Sequence, residues 1–377
     1  MTKTLVIVLS ETRAHELTFD SFKKNVIDEL NADLCLCIGV KPDYDYSNPF
    51  YQLAKYKFLY NEPLDYGEAF DYAYEHLCKN ESKYEKLENI NALYGKITHP
   101  DQSTNYINNY GIYDSGMNID NYDDDSIVIH SNDFSDEIWK NRVYGIPEHR
   151  GNMIVQQNVT TYKKRVHWRE FLKLRDQFLG GIKDPHNQHP GSAGILIFFR
   201  WFLLKNLIES NLINEYDRFV FTRSDYIYQL PHPKVEFMDK STIWIPDSEH
   251  YYGYTDRHAI LSQQNIVEYL NILNNMVLRS NEYICKMQYK CNWNLEQLIM
   301  FHLEQNNVLQ YVKEFPYVMY SVRNVNGPSS WSIGEFSPVL GYYIKYQSEH
   351  ERSTFYKNEF EKSGLTIDEF YKTRIYM

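Results

Sequence analysis

At 377 residues the chain is long enough for one large domain or two ordinary ones, each with room for a substantial core. Its 43% hydrophobic and 24% charged residues are the balance of a soluble globular protein, which excludes disordered and collagen-like classes. A net charge of -11 excludes a nucleic-acid backbone as the main partner, since there is no basic surplus to displace counterions.

The first element is "TLVIVLS" (4–10), a β-rich apolar run with the pattern of a strand covered on both faces, ending at Ser10-Glu11-Thr12-Arg13. A helix follows, with Phe19, Phe22, Val26, Ile27 and Leu30 at helical spacing, and then a second buried strand, "ADLCLCIGV". Strand, helix and strand within this length make one βαβ unit, hence a parallel sheet with a right-handed crossover. In such sheets ligands bind outside the carboxyl ends of the strands, where Ser10 to Arg13 sit. Residues 41–80 read as an aromatic-rich loop and a helix, and residues 81–165 as a long polar insertion with one strand, "SIVIH". A helix closing at Gly180-Gly181 leads through "KDPHNQHPGSAG" into a long apolar helix at about 192–210. "EYDRFVFTRSDYIY" is the next expected strand and "STIWIPD" (241–247) another, before helices at 263–280 and 293–306. The expected fold is α/β: a Rossmann-type, mostly parallel sheet flanked by helices. One domain spans 1–320 with its insertion at about 81–165, and a helical C-terminal extension, 321–377, packs on it.

Met1 is followed almost at once by "KTLVIVLS", too short for a signal peptide's apolar region, so a cytoplasmic location is expected. The run 193–208 contains Arg200 and Lys205 and is too short to span a bilayer, so it is expected to be a buried helix. The five cysteines form no CxxC pair and are expected to be buried free thiols. The basic run from Lys163 to Arg175 is expected to be a solvated helix face. The 34 tyrosines fit nucleotide bias and also suit carbohydrate, since a ring stacks on a sugar while its hydroxyl hydrogen-bonds.

Three constellations carry potential chemistry. Arg223-Ser224-Asp225 ends the apolar run Phe219-Val220-Phe221. A carboxylate there suits a divalent cation that neutralises a diphosphate, and an arginine suits the phosphate itself; a structural Arg–Asp pair is the equal alternative. In the loop "SEHYYGYTDRHAI", Gly253 allows a sharp turn and Asp256 lies beside Arg257 and His258. Asp256 is either a general base or the cap of a helix beginning near Ala259. Asp123-Asp124-Asp125 precedes its strand and is expected to be a solvated loop. His186 and His189 have no partner spaced for metal, and His302 reads as a packed or exposed helix residue. Walker, GxGxxG, GxSxG and HExxH patterns are absent.

Taken in order, "VIVLSETR", "LTFDSFKKNVIDELNADLCLCI", "YDRFVFTRSD", "IWIPDSEHYYGYTDRHAI" and "NLEQLIMFHLEQNNV" resemble the GT-A-fold nucleotide-sugar glycosyltransferases. The likeness is to a branch found in giant and algal viruses, bacterial polysaccharide loci and plants. It covers about 4–40 and 190–310. The resemblance implies sugar transfer from a nucleotide-sugar donor to a glycan or other hydroxyl acceptor, in the cytoplasm (the host's, if the protein is viral). It places Ser10, Glu11, Thr12, Arg13, Arg223, Ser224 and Asp225 around the donor, and Tyr252, Gly253 and Arg257 on the acceptor side. Asp225 takes the place of the family's metal-binding D-x-D carboxylate, for Mn²⁺ or Mg²⁺. Arg223 stands where the first Asp of that motif belongs, so metal dependence is expected to be weak or absent. In an inverting enzyme, the expected case, Asp256 removes the acceptor proton; in a retaining one it loses that role. The competing readings are another nucleotide-dependent transferase or hydrolase on the same sheet, or a non-catalytic carbohydrate-binding protein of that fold.

Overall fold

The computed structural model describes residues 2–64, 66–79, 193–279, 283, 287, 293–325 and 332–375, and the backbone alone of 127–130 and 159–162. The chain divides into two units, one made of Met1–Glu75, Phe178–Leu273 and Trp293–Met377, the other of His76–Gln177 and Asn274–Asn292.

The first unit opens with β1 (Thr4–Ser10), α1 (His15–Phe22, extended by a wider turn to Asp28), β2 (Asp33–Val40), α2 (Pro49–Leu53) and β3 (Tyr56–Asn61). The helix α3 (Tyr66–Lys79) follows. In the second unit, β4 (Ile127–His130) and β5 (Val159–Tyr162) form an antiparallel pair. The first unit resumes with α4 (Ala193–Glu209), β6 (Arg218–Thr222), β7 (Tyr226–Tyr228), β8 (Ile243–Pro246) and β9 (Ala259–Ser262). It ends with α5 (Leu295–Gln305), β10 (Val312–Phe315), β11 (Met319–Arg323), β12 (Glu335–Ser337), β13 (Tyr342–Ile344), α6 (Gln347–Ser363) and α7 (Ile367–Ile375).

The central sheet has seven strands in the order β10-β8-β9-β6-β1-β2-β3. The strand β1 pairs in parallel with both β2 and β6, as β2 does with β3 and β8 with β10. Only β9 runs against its neighbours. The reversal has a positional effect: the amino end of β9 lies at the same sheet edge as the carboxyl ends of the others. The residues just before Ala259 therefore meet the loops that follow β1 and β6.

Both faces of the sheet are covered, which is why its strands read as unbroken apolar runs. Leu5, Val6, Ile7 and Val8 are fully buried. On one side α4 lies against β1 and β2, apolar all round and burying Phe198, Phe199 and Trp201. On the other, Val6, Val8, Leu36, Val220 and Ile260 share a core with Phe22 and Val26, and with Tyr356 and Phe370 from the last two helices. A smaller sheet, β12-β13-β11-β7, stands beside that edge and pairs in antiparallel fashion throughout.

Four expectations are corrected. The boundary at 320/321 falls inside β11, and 321–377 is not a helical extension alone: it supplies β12 and β13 to the smaller sheet before its two helices. The stretch 215–228 is two strands in different sheets, broken at Arg223-Ser224-Asp225, because the turn carries the chain out of the central sheet. Residues 56–61 are a strand and not loop; as the edge of the sheet β3 is only half buried, so it lacks the apolar run that marks its neighbours. Ala259 begins a strand, which removes the helix that Asp256 was to cap. Cys35 and Cys37 are buried free thiols, as expected, and burial pushes the Cys35 thiol up, but Cys78 is a free thiol that is exposed. No helix among the described residues is long and apolar enough to cross a membrane. The aspartates 123–125, the basic run 163–175, His186 and His189 lie outside the described residues.

Candidate functional site

The loop after β1 and the turn after β6 are tied together by one buried serine. Ser224 Oγ donates to the Glu11 carbonyl (3.0 Å) and accepts from the Arg13 amide (2.9 Å), while the Ser224 carbonyl accepts from Thr18 Oγ1 (2.6 Å). Two non-glycine residues of this loop, Ser10 (φ 73) and Ala14 (φ 54), adopt left-handed backbone, a conformation that costs energy and is held by these bonds. Thr12 Oγ1 lies 2.8 Å from the Tyr44 hydroxyl, and Glu11 pairs with Arg13.

Asp225, just past the turn, is 1% exposed. Its carboxylate accepts two bonds from Arg223, from Nε at 2.8 Å and Nη2 at 2.9 Å, and a third from Nη1 of Arg323 at the end of β11. The side chain is held there by backbone too, since the Asp225 carbonyl accepts from the Val322 amide (2.9 Å). Burial opposes its charge, but Arg223 and then Arg323 hold its carboxyl well below the usual carboxylate range. Burial also lowers Arg13, to about 10, with Arg223 and Arg323 adding repulsion and Asp225 attraction.

Lys345, the first residue after β13, completes this group. Its amide donates to the Ser321 carbonyl (2.9 Å), which puts it opposite Ser321 and diagonal to Arg323 across the β11–β13 pair. Its ammonium makes no hydrogen bond or ion pair among the described residues and lies 4.8 Å from the ring centroid of Tyr346. Burial, then the charges of Arg223 and Arg323, push it down to about 6.

A second group of opposite composition lies at the amino end of β9. Arg257 is buried and donates to Glu349 of α6, and its guanidinium is also 3.8 Å from Glu249 and 3.6 Å from Asp256. The ring of Tyr346 covers it at 4.2 Å. Glu349 is fully buried and accepts from the Tyr317 hydroxyl (2.8 Å) and the Ser321 amide (2.7 Å) as well. The Asp256 carbonyl accepts from Arg200 Nη2 (3.0 Å), which gives the one arginine of α4 a partner. Glu296, in the first turn of α5, faces Asp256: burial, then the charge on Asp256, push its carboxyl up to about 7.

Gly253 makes this approach possible. A Cβ there would sit 2.1 Å from the backbone of Glu296, and the Tyr254 amide donates to the Glu296 carbonyl (3.0 Å). The positive-φ residues of the loop are Glu249, Tyr251 and Tyr252, so Gly253 serves close packing and not the sharp turn expected of it. Of the acceptor-side residues, Tyr252 is exposed (89%), whereas Arg257 is committed to Glu349. His258 is buried against His232, Nε2 to Nε2 at 3.1 Å, a structural pair. His302 is likewise packed in, its Nε2 2.5 Å from the Glu268 carbonyl.

The two groups are neighbours: the ring of Tyr346 lies 4.2 Å from the Arg257 guanidinium and 4.8 Å from the Lys345 ammonium. A divalent cation does not fit at Asp225. Both carboxylate oxygens are already bonded to guanidinium groups, and no cluster of three or more His, Cys, Asp or Glu side chains able to hold a metal occurs among the described residues. Arg323, Lys345, Glu296 and Glu349 were not singled out in the sequence as members of the site. The usable signal was an apolar or alternating strand ending in a basic residue, "YSVR" and "YYIK", as in "FVFTR".

Comparison of the chain with protein-family models, with curated proteins and with solved structures finds no match in any of the three.

Proposed function

We propose that the protein is a glycosyltransferase of GT-A-like fold, moving a sugar from a nucleotide-sugar donor to a hydroxyl acceptor. One observation carries this reading: at the carboxyl edge of a mostly parallel sheet, a group of basic side chains adjoins a pair of carboxylates that share a site. Sugar transfer needs both. The bond from the anomeric carbon to the donor diphosphate breaks as charge builds on the leaving group, and fixed cations stabilise that charge. The acceptor oxygen forms the new bond to that carbon and gives up its proton to a nearby base.

On this reading Arg13 and Arg223 face the donor diphosphate, and the Asp256–Glu296 pair faces the acceptor hydroxyl. With its carboxyl up to about 7, Glu296 can accept a proton near neutral pH. Glu11, Ser10, Thr12 and Ser224 shape the donor loop, and Tyr252 offers an exposed ring for a sugar.

The test is a binding and turnover series. Purified protein is melted with UDP-, GDP-, dTDP- and CMP-sugars, where a ligand at ~100 times its Kd should stabilise by about 2.7 kcal/mol, a shift of a few degrees. The donor found is then incubated with oligosaccharide acceptors and release of nucleoside diphosphate is followed. Asp256→Asn should keep donor binding and lose about 10²–10⁴-fold in turnover. Folded protein that binds none of the four nucleotide-sugar families would sink the reading. So would nucleotide hydrolysis that acceptors leave unchanged, which favours a phosphate-acting enzyme.

A further inference from the structure

The basic group is larger than the donor reading requires, and its surplus members come from the other sheet. Arg223 and Arg323 share one carboxylate, Arg13 is paired with Glu11, and Lys345 has no ionic partner among the described residues. Four basic side chains thus stand against two directly paired carboxylates, with Asp256 and Glu62 acting from further off. Arg323 is 2% exposed, and its Nε has no hydrogen-bond partner among the described residues. Buried donors and uncompensated ammonium groups are costly unless a partner arrives. The register explains why the two converge: Ile344 opposes Val322 and Tyr343 opposes Arg323, so Arg323 and Lys345 are diagonal neighbours on one face of the small sheet. The same strand β11 pairs with β7, which begins at the residue after Asp225.

We propose that Arg323 and Lys345, with Arg13 and Arg223, take the diphosphate of the substrate directly, in place of a divalent cation. This rests on the proposed function but concerns how that site binds. Asp225 is then a positioning residue: it orients Arg223 and Arg323 toward the ligand and touches neither metal nor phosphate. The guanidinium forks bind phosphate oxygens in pairs, and the lysine supplies a point charge. The charged groups acting on Lys345 are Arg223, Arg323 and Arg257, all of like sign, and Asp225, whose oxygens are engaged. An arriving diphosphate is the group that relieves this repulsion.

The experiment is calorimetric titration of the full chain with UDP, GDP and, in EDTA only, inorganic pyrophosphate. The nucleotides are titrated once in EDTA and once in MnCl₂. The expected result is binding of pyrophosphate and at least one nucleotide in EDTA, with nucleotide affinity within threefold of that in Mn²⁺. Lys345→Gln should weaken binding at least tenfold without lowering Tm, and Lys345→Arg should recover most of it. Binding that appears only with Mn²⁺ overturns the inference and leaves the glycosyltransferase reading standing. Binding unchanged in Lys345→Gln, or absent in both conditions, overturns it too. Metal-free binding of pyrophosphate and nucleotides by a protein that transfers no sugar keeps the inference and removes the transferase reading.

Discussion

Two buried charge groups, built alike and filled in opposite ways, sit side by side at the edge of the main sheet. Around Asp225 one carboxylate is ringed by guanidinium groups, and around Arg257 one guanidinium is ringed by carboxylates. The second is closed. Glu349 is fully buried, takes four hydrogen-bond donors, and Tyr346 lies over its arginine. The first is open, since Lys345 is left over and Arg223 and Arg13 reach solvent. The Arg257–Glu349 pair at the centre of the closed group holds the fold together, whereas the open group is where we propose that a ligand's charge is met.

The comparison breaks most readily at its closed side. Glu349→Ala leaves Arg257 buried without its main partner, and loss of about 3–5 kcal/mol is expected in urea unfolding. Asp225→Asn should cost nearly as much, because Arg323, 2% exposed, loses its carboxylate, although Arg223 retains some exposure and can be hydrated. Next in size is Gly253→Ala. The new Cβ meets backbone, which must move, so about 1–3 kcal/mol should be lost, and the Asp256–Glu296 approach should open with it. A partner readout is turnover, which should fall more than the melting temperature alone explains.

The open side predicts the opposite sign. Lys345→Met removes a side chain whose charged form the fold disfavours, so the ligand-free protein should gain roughly 0.5–2 kcal/mol. Because the Lys345 value drops from 10.5 to about 6 on folding, the unfolded chain holds more protons between those limits, and native stability rises with pH across them. The gain from Lys345→Met should therefore be larger at pH 7 than at pH 9. Wild-type protein should take up to one proton on binding UDP-sugar at pH 7, read from heats in buffers of different ionisation enthalpy.

The smallest effect is at Glu296. Its value rises from 4.5 to about 7 on folding, so the native state holds the extra proton and stability falls as pH climbs through that window. Glu296→Gln should flatten this slope, with Tm near wild type at pH 5 and above it at pH 8.

Legibility in the sequence follows burial pattern and chain distance. The strands β1, β2 and β6 are covered on both faces, so "TLVIVLS", "LCLCI" and "FVF" announce themselves. The half-buried edge strand "YKFLYN" mixes polar and aromatic residues and reads as loop. "AILS" is too short for its period to separate strand from helix, so β9 and its reversal were hidden. Arg223 and Asp225 were visible as a break at the end of an apolar run. Arg323 and Lys345 were not, because what makes them part of the site is pairing with residues about a hundred positions earlier. Glu296 lies in a helix that the sequence announces, and only the contact with Gly253 gives it Asp256 as a neighbour.

One feature of the connectivity sets a schedule. The strands β1, β2, β3, β6, β8 and β9 are all made before residue 263, but Arg323, Lys345 and Glu349 follow Ser262 by 61 to 87 residues. A nascent chain emerging from the ribosome can assemble most of the main sheet while Asp225 has only Arg223 for company and Arg257 still waits for Glu349. Both charge groups become whole only once Glu349 has been made. Nucleotide affinity should appear late and abruptly in a series of stalled chains of increasing length.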